Sequence, residues 1–167
     1  MKKEIKQNLL KTIRIWILLF IICLILSGAT AFPLETELAC LITQFDSKNT
    51  TMYHWIYNTY QAIKTTNASF PQLSYGSDWL AFAHIVIAVV FIGPLINPVK
   101  NIWVIQFGMI ACIMIFPLAL IAGPIRHIPF FWQVIDCSFG VFGLIPLLLC
   151  YKKIKQLEML YNKDLQL

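Results

Sequence analysis

Charge is scarce in this chain. Asp, Glu, Lys and Arg make up only 13% of it, against roughly 25% in a soluble domain. That shortage leaves too little polar surface to cover a soluble fold of 167 residues. Motifs are scarce as well. None of the five cysteines, Cys23, Cys40, Cys112, Cys137 and Cys150, forms a CxxC pair, so no zinc or thioredoxin-like signal is present. There is no nucleophile elbow, no HExxH helix and no phosphate-binding glycine loop. Internal repeats and low-complexity tracts are absent too. The net charge of +5 has no soluble basic face to carry it, which argues against nucleic acid as a partner.

Apolar residues are abundant, at 59%, with a mean hydropathy of +0.72. They gather in four runs, Ile13–Ala31, Trp79–Leu95, Ile102–Ala122 and Phe130–Cys150. Each is near the ~20 residues that a ~30 Å hydrocarbon core requires. Pro94, Pro117 and Pro146 lie in these runs and read as kinks or ends, which membrane helices tolerate. The expected fold is all-α, a four-helix transmembrane bundle forming a single integral membrane domain over residues 1–167. With the N-terminus inside, Lys2, Lys3, Lys6, Lys11, Arg14, Lys100, Lys152, Lys153, Lys155 and Lys163 face the cytoplasm. Only Lys48, Lys64 and Arg126 then face out. This asymmetry places both termini in the cytoplasm. The tail Tyr151–Leu167 reads as a short helix or frayed end, with Ile154, Leu157 and Leu160 resting on the bilayer surface. Lys2–Arg14, the core Ile15–Leu26 and Ala29-Thr30-Ala31 also have the layout of a signal peptide. The apolar run continues through Phe32, which favours a retained span.

The segment from Phe32 to Gly76 is the one sizeable extramembrane region, an outer loop over residues 32–76 between spans one and two. Two amphipathic helices are expected in it. Pro33 suits a first helical position, with Leu34, Leu38, Leu41, Ile42 and Phe45 sharing a face. Asn49–Thr66 aligns Met52, Trp55, Ile56, Tyr60 and Ile63, and its aromatics suit a headgroup layer. Trp55 and Ile56 are expected toward the membrane. Pro71, Ser74 and Gly76 read as the turn into the second span, and Asp78 as its N-cap beside an interfacial Trp79. Asn49-Thr50-Thr51 and Asn67-Ala68-Ser69 match glycosylation sequons, which carry no meaning in a bacterial host. Cys40 and Cys137 both fall toward the outer side, where a disulfide is one option.

The candidate site residues form an expected outer polar cluster of His84, Arg126, Asp136, Asp78 and His127. Asp136 lies about six residues into the fourth span, so roughly 9 Å along it. Trp132, Gly140 and Gly143 share its face, and glycines there admit a close neighbour helix. Asp136 reads as a hydrogen-bond anchor or, alternatively, as an acid or proton site. His84 lies between Ala81 and Ala88 on the second span and has the same two readings. Arg126 is an outside positive charge, either a partner for Asp136, Asp78, Glu35 or Glu37, or an anion site. Contact of Asp136 with Arg126, His84 or a polar group of the outer loop is expected, because an unpaired polar group in the bilayer is costly. Gly108, Cys112, Ala119 and Ala122 line one face of the third span and read as close helix packing. No catalytic set and no metal ligand set emerge, and no cofactor is identified. Haem is disfavoured, since no other span supplies a facing histidine.

The stretches SGATAFPLETELA (27–39), YGSDWLAFAHI (75–85), PLALIAGPIR (117–126) and IDCSFGVFGLIPL (135–147) resemble those of small, uncharacterised four-span bacterial inner-membrane proteins. The resemblance implies a bacterial inner membrane. The layout is also similar to that of small b-type cytochromes, but it lacks their first-span histidine. Three functions compete. The leading one is a non-enzymatic accessory or binding subunit, with the lipid bilayer and other membrane-protein subunits as partners. The second is a redox or proton-linked component using His84 and Asp136. The third is an enzyme acting on lipid or quinone.

Overall fold

The computed structural model describes residues 2–165. It is helical, with no strand among the described residues. In chain order the helices are α1 (Lys2–Ala31), α2 (Leu34–Ile42), α3 (Thr51–Ser69), α4 (Pro71–Val90), α5 (Ile92–Ile96), α6 (Ile102–Pro117), α7 (Gly123–Ile125) and α8 (Phe130–Leu165). A π-helical turn, Leu118–Ala122, joins α6 to α7. Pro117 explains its position, because proline has no N–H to donate back along the helix and the ladder must widen there.

Four stretches are long and apolar enough to cross a membrane, namely Lys3–Ala31, Pro71–Ile96, Ile102–Ile125 and Phe130–Lys163. Their outward residues are large and apolar: Ile96 is 70% exposed and Phe142 71%. Water would penalise so much exposed apolar area, whereas hydrocarbon does not. The fold therefore fits a multi-pass membrane protein.

The chain forms two compact units, whose boundaries fall within α1 and near the end of α4. The first comprises residues 2–22 and 89–165. Its core is the fully buried set Ile13, Ile17, Phe91, Ile105, Leu147, Ile154 and Leu157. On α8 the buried positions Gln133, Gly140, Leu147, Cys150, Ile154 and Leu157 repeat at heptad spacing, so one stripe faces its neighbours throughout. Small residues make the closeness possible. A Cβ on Gly140 would stand 2.7 Å from the Cys112 carbonyl oxygen, and one on Gly143 would stand 2.9 Å from Cys112 Sγ. Gly108 leaves room for Phe91 and Leu147 in the same way. The close-packing reading of the third span's small face thus holds for Gly108, Cys112 and Ala119, all buried. Phe20 and Phe91 meet with ring centroids 4.8 Å apart.

The tail differs from expectation. The fourth span and the tail form one continuous helix of 36 residues, about 54 Å long and longer than a ~30 Å hydrocarbon core. Ile154 and Leu157 are fully buried in protein instead of lying on a bilayer surface. On either side of them α8 meets the start of α1, where Lys6 lies over the Tyr161 ring at 4.3 Å and Cys150 Sγ approaches the Ile13 carbonyl at 3.7 Å. The heptad stripe does not stop at the end of the apolar run, so neither does the packing.

The second unit is residues 23–88, with the end of α1, then α2, α3 and most of α4. Gly28 seats α1 against α4, since a Cβ there would come within 2.7 Å of the Ala81 carbonyl oxygen. Thr50 caps α3 by accepting a hydrogen bond from the Tyr53 N–H at 3.1 Å. Pro33 is the N-cap residue of α2, one position before its first turn. Leu38 of α2 and Tyr53 and Ile56 of α3 are buried where the two helices pack. Ile56 is 2% exposed, so its expected turn toward the membrane is not what the structure has. The partner helix α2 has taken that face. Pro71, Ser74 and Gly76 do not form a turn; they lie in the first two turns of α4, which Pro71 opens at the position where its missing N–H costs nothing. Asp78 therefore sits inside α4 and is not an N-cap. All five cysteines are free.

Candidate functional site

Several polar residues of the second unit line one cleft of about 530 Å³. The end of α1 and the start of α2 supply Ala31, Phe32 and Glu35, α3 supplies Thr59, Thr66 and Asn67, and α4 supplies Ser74, Ser77 and Asp78. Its local construction follows from chain chemistry. Pro33 turns the chain sharply after α1, which brings Glu35 beside the end of α3. Phe70 ends α3, and Pro71 restarts the helix at once, so Asn67 and Ser74 face each other across a one-residue break.

A hydrogen-bond chain ties these helices together. The Asn67 amide donates to Glu35 Oε2 at 2.5 Å. The Ser74 hydroxyl donates to Asn67 Oδ1. The chain fixes the amide's orientation, since its oxygen accepts and its nitrogen donates. Glu35 keeps Oε1 free of any described partner. Asp78 is half-buried, lines the same cleft and has no hydrogen-bond or ion-pair partner among the described residues. No Lys, Arg or His lines the cleft. The site is therefore acidic at its walls and hydroxyl-rich between them, which suits a positively charged ligand able to donate hydrogen bonds.

Of the five expected cluster residues, the structure puts Asp78 in this cleft. His84 lies two turns further along α4, half-buried under Gly28. Its Nδ1–H donates to the Leu80 carbonyl at 2.9 Å, since a carbonyl can only accept.

Arg126, His127 and Asp136 belong to the first unit. Arg126 and His127 are exposed on the turn after α7. That turn closes with the Ile128 N–H on the Gly123 carbonyl at 2.9 Å and the His127 N–H on the Pro124 carbonyl at 3.1 Å. This is a Schellman ending, and His127 holds its left-handed position with φ 56°. Asp136 is half-buried on the packed stripe of α8.

The expected contact of Asp136 with Arg126 is not made, and neither has a hydrogen-bond or ion-pair partner among the described residues. The backbone turn leaves Arg126 on the exposed side, away from the stripe that holds Asp136. Gln133 is the buried polar residue there. Its amide donates to the Ile128 carbonyl at 2.7 Å, and its side chain fills the space left by Gly123.

Sequence reasoning missed Gln133, Asn67 and Ser74. Gln133 was legible in principle, because it sits seven residues before Gly140 on the same stripe. Asn67 and Ser74 carried no local signal, since their partners are set by the break between α3 and α4. Among the described residues no three His, Cys, Asp or Glu side chains gather to hold a metal ion. The chain matches no protein-family model, no curated protein and no solved structure.

Proposed function

We propose that the chain is a multi-pass protein of the bacterial inner membrane that acts as a non-enzymatic binding subunit. In this reading both termini are cytoplasmic, and the α2–α3 pair lies at the outer face with its remaining exposed apolar residues, Met52 and Tyr57 among them, in the headgroup layer. The bilayer and other membrane-protein subunits are its surroundings and partners. The cleft carries the proposal. Its two carboxylates, Glu35 and Asp78, face a space large enough for a small organic molecule, with hydroxyls and no competing cation. A small organic ammonium ion is the ligand class that satisfies both charge and hydrogen bonding.

The test is a thermal-shift titration of the purified chain in mild detergent, with tetramethylammonium, spermidine and sodium acetate as probes. A ligand at a hundred times its dissociation constant stabilises the folded state by about 2.7 kcal/mol. A melting rise with either ammonium probe, absent for acetate and lost in the Glu35→Gln/Asp78→Asn double variant, supports the reading. No rise, or the same rise in the variant, overturns it.

A further inference from the structure

We infer that a groove along the first turns of α1 binds one anionic phospholipid, with its phosphate held by Lys11 and Arg14. The groove lies within the first unit and encloses about 360 Å³. Gln7, Lys11, Arg14 and Leu18 line it from α1, and Leu95 lines it from α5. These α1 positions are spaced by four, three and four residues, so they share one face of the helix.

Arg14 is already oriented. Its Nε–H donates to the Leu95 carbonyl at 3.2 Å. That carbonyl stands at the end of α5, where Pro98 lacks an N–H and the chain leaves the helix at Asn97, so the guanidinium fills a vacancy in the backbone ladder. One of five N–H donors is spent there, and the four on the two terminal nitrogens remain for an anion. Lys11 adds a second positive charge one turn away, and both residues are exposed. Guanidinium presents paired donors that match two phosphate oxygens, and the ammonium adds a point charge. Gln7, a turn beyond Lys11, offers an amide to the ester or glycerol oxygens.

In the other direction the lining becomes apolar. Ile15 is 56% exposed and Leu18 48% exposed. Both continue the groove into the apolar run, where hydrocarbon is the surrounding solvent. Lys11 and Leu18 are seven residues apart, about 10 Å along the helix. The groove therefore changes from cationic to apolar in the order in which a phospholipid changes from phosphate to acyl chain. A zwitterionic lipid would bring its own cation toward Lys11 and Arg14, so charge selects the anionic class. The inference needs α1 to span a bilayer. It does not depend on which side its N-terminus lies or on what fills the acidic cleft.

The test uses the full chain in phosphatidylcholine nanodiscs doped with phosphatidylglycerol, with bound lipid counted by native mass spectrometry after gentle release. Inorganic phosphate at millimolar concentration forms a separate arm, read by thermal shift. The expected result is one retained phosphatidylglycerol that outcompetes phosphatidylcholine. Lys11→Gln leaves the Arg14–Leu95 bond in place and should weaken retention about five-fold. Arg14→Gln added to it should abolish selectivity, while Lys48→Gln, the same charge change outside the groove, should leave it intact. Equal retention of both lipids, or unchanged selectivity in Lys11→Gln and the double variant, overturns the site. Stabilisation by inorganic phosphate with no retained phosphatidylglycerol overturns the lipid as its ligand.

Discussion

At the scale of single residues, glycine shows where packing is tight and where it is not. Gly140 and Gly76 have the same side chain and opposite surroundings. A Cβ on Gly140 would lie 2.7 Å from a backbone oxygen, which cannot rotate away, while a Cβ on Gly76 would meet nothing within 4 Å. Both sit in helices, where glycine costs about 0.5–1 kcal/mol relative to alanine through its greater freedom when unfolded. Gly76→Ala should recover that amount and raise the melting temperature of the detergent-solubilised chain. Gly140→Ala should lose about 1–3 kcal/mol, because α6 and α8 must separate to admit the methyl group. The comparison is read in one melting experiment, and a Gly140→Ala protein as stable as the parent would show that the two helices do not touch there. His127 is a further case of a backbone demand at one position. It takes the left-handed site of a helix ending where glycine is usual, and the geometry that requires this also leaves Arg126 exposed and apart from Asp136.

At the scale of elements, the apolar runs were legible because hydropathy alone reports what a bilayer will accept. Their ends were not. Hydropathy placed the second span at Trp79, yet α4 starts at Pro71, because a helix begins where its backbone permits and not where its side chains become apolar. The fourth span was read as ending at Cys150, yet the buried stripe runs on through Ile154 and Leu157 at the same heptad spacing. The acidic cleft was legible only in part. Asp78 was singled out as a polar residue at a span's edge, but Glu35 and Asn67 are 32 residues apart in sequence and meet only because α2 folds back on α3. That fold-back depends on α3 starting cleanly at Thr50. Replacing Thr50 with alanine removes the acceptor for the Tyr53 N–H and should cost about 1 kcal/mol. The loss should appear as faster amide exchange over the first turns of α3, with α6 and α8 unchanged. Exchange that rises equally in both units would mean that the cap supports more than its own helix.

At the scale of the whole chain, charge outside the apolar runs bears on which way it would cross the membrane. The extended starts and ends of α1 and α8 carry Lys3, Lys6, Lys11, Lys152, Lys153, Lys155 and Lys163, and their packing together puts these charges at one end of the first unit. Only Glu4 and Glu158 offset them among the described side chains of those stretches, and Glu158 is already paired with Lys155 at 2.9 Å. Translocating such a cluster against the membrane potential would cost about 2.3 kcal/mol per charge per 100 mV, whereas the segment between α1 and α4 carries Lys48 and Lys64 against Glu35, Glu37 and Asp46. On the positive-inside rule the first is the end expected in the cytoplasm and the second the segment expected outside. A fluorescent reporter that matures only in the cytoplasm should therefore be bright when fused after Leu167. The complementary reporter, active only outside, belongs between Asp46 and Lys48, because insertion at Asn67 would break the hydrogen-bond chain to Glu35 and Ser74 and confuse misfolding with topology. It should be active there and silent at the C-terminus. The reverse pattern would invert the orientation and place the acidic cleft on the cytoplasmic side, while leaving the helices, the cleft and the Lys11–Arg14 groove as they are.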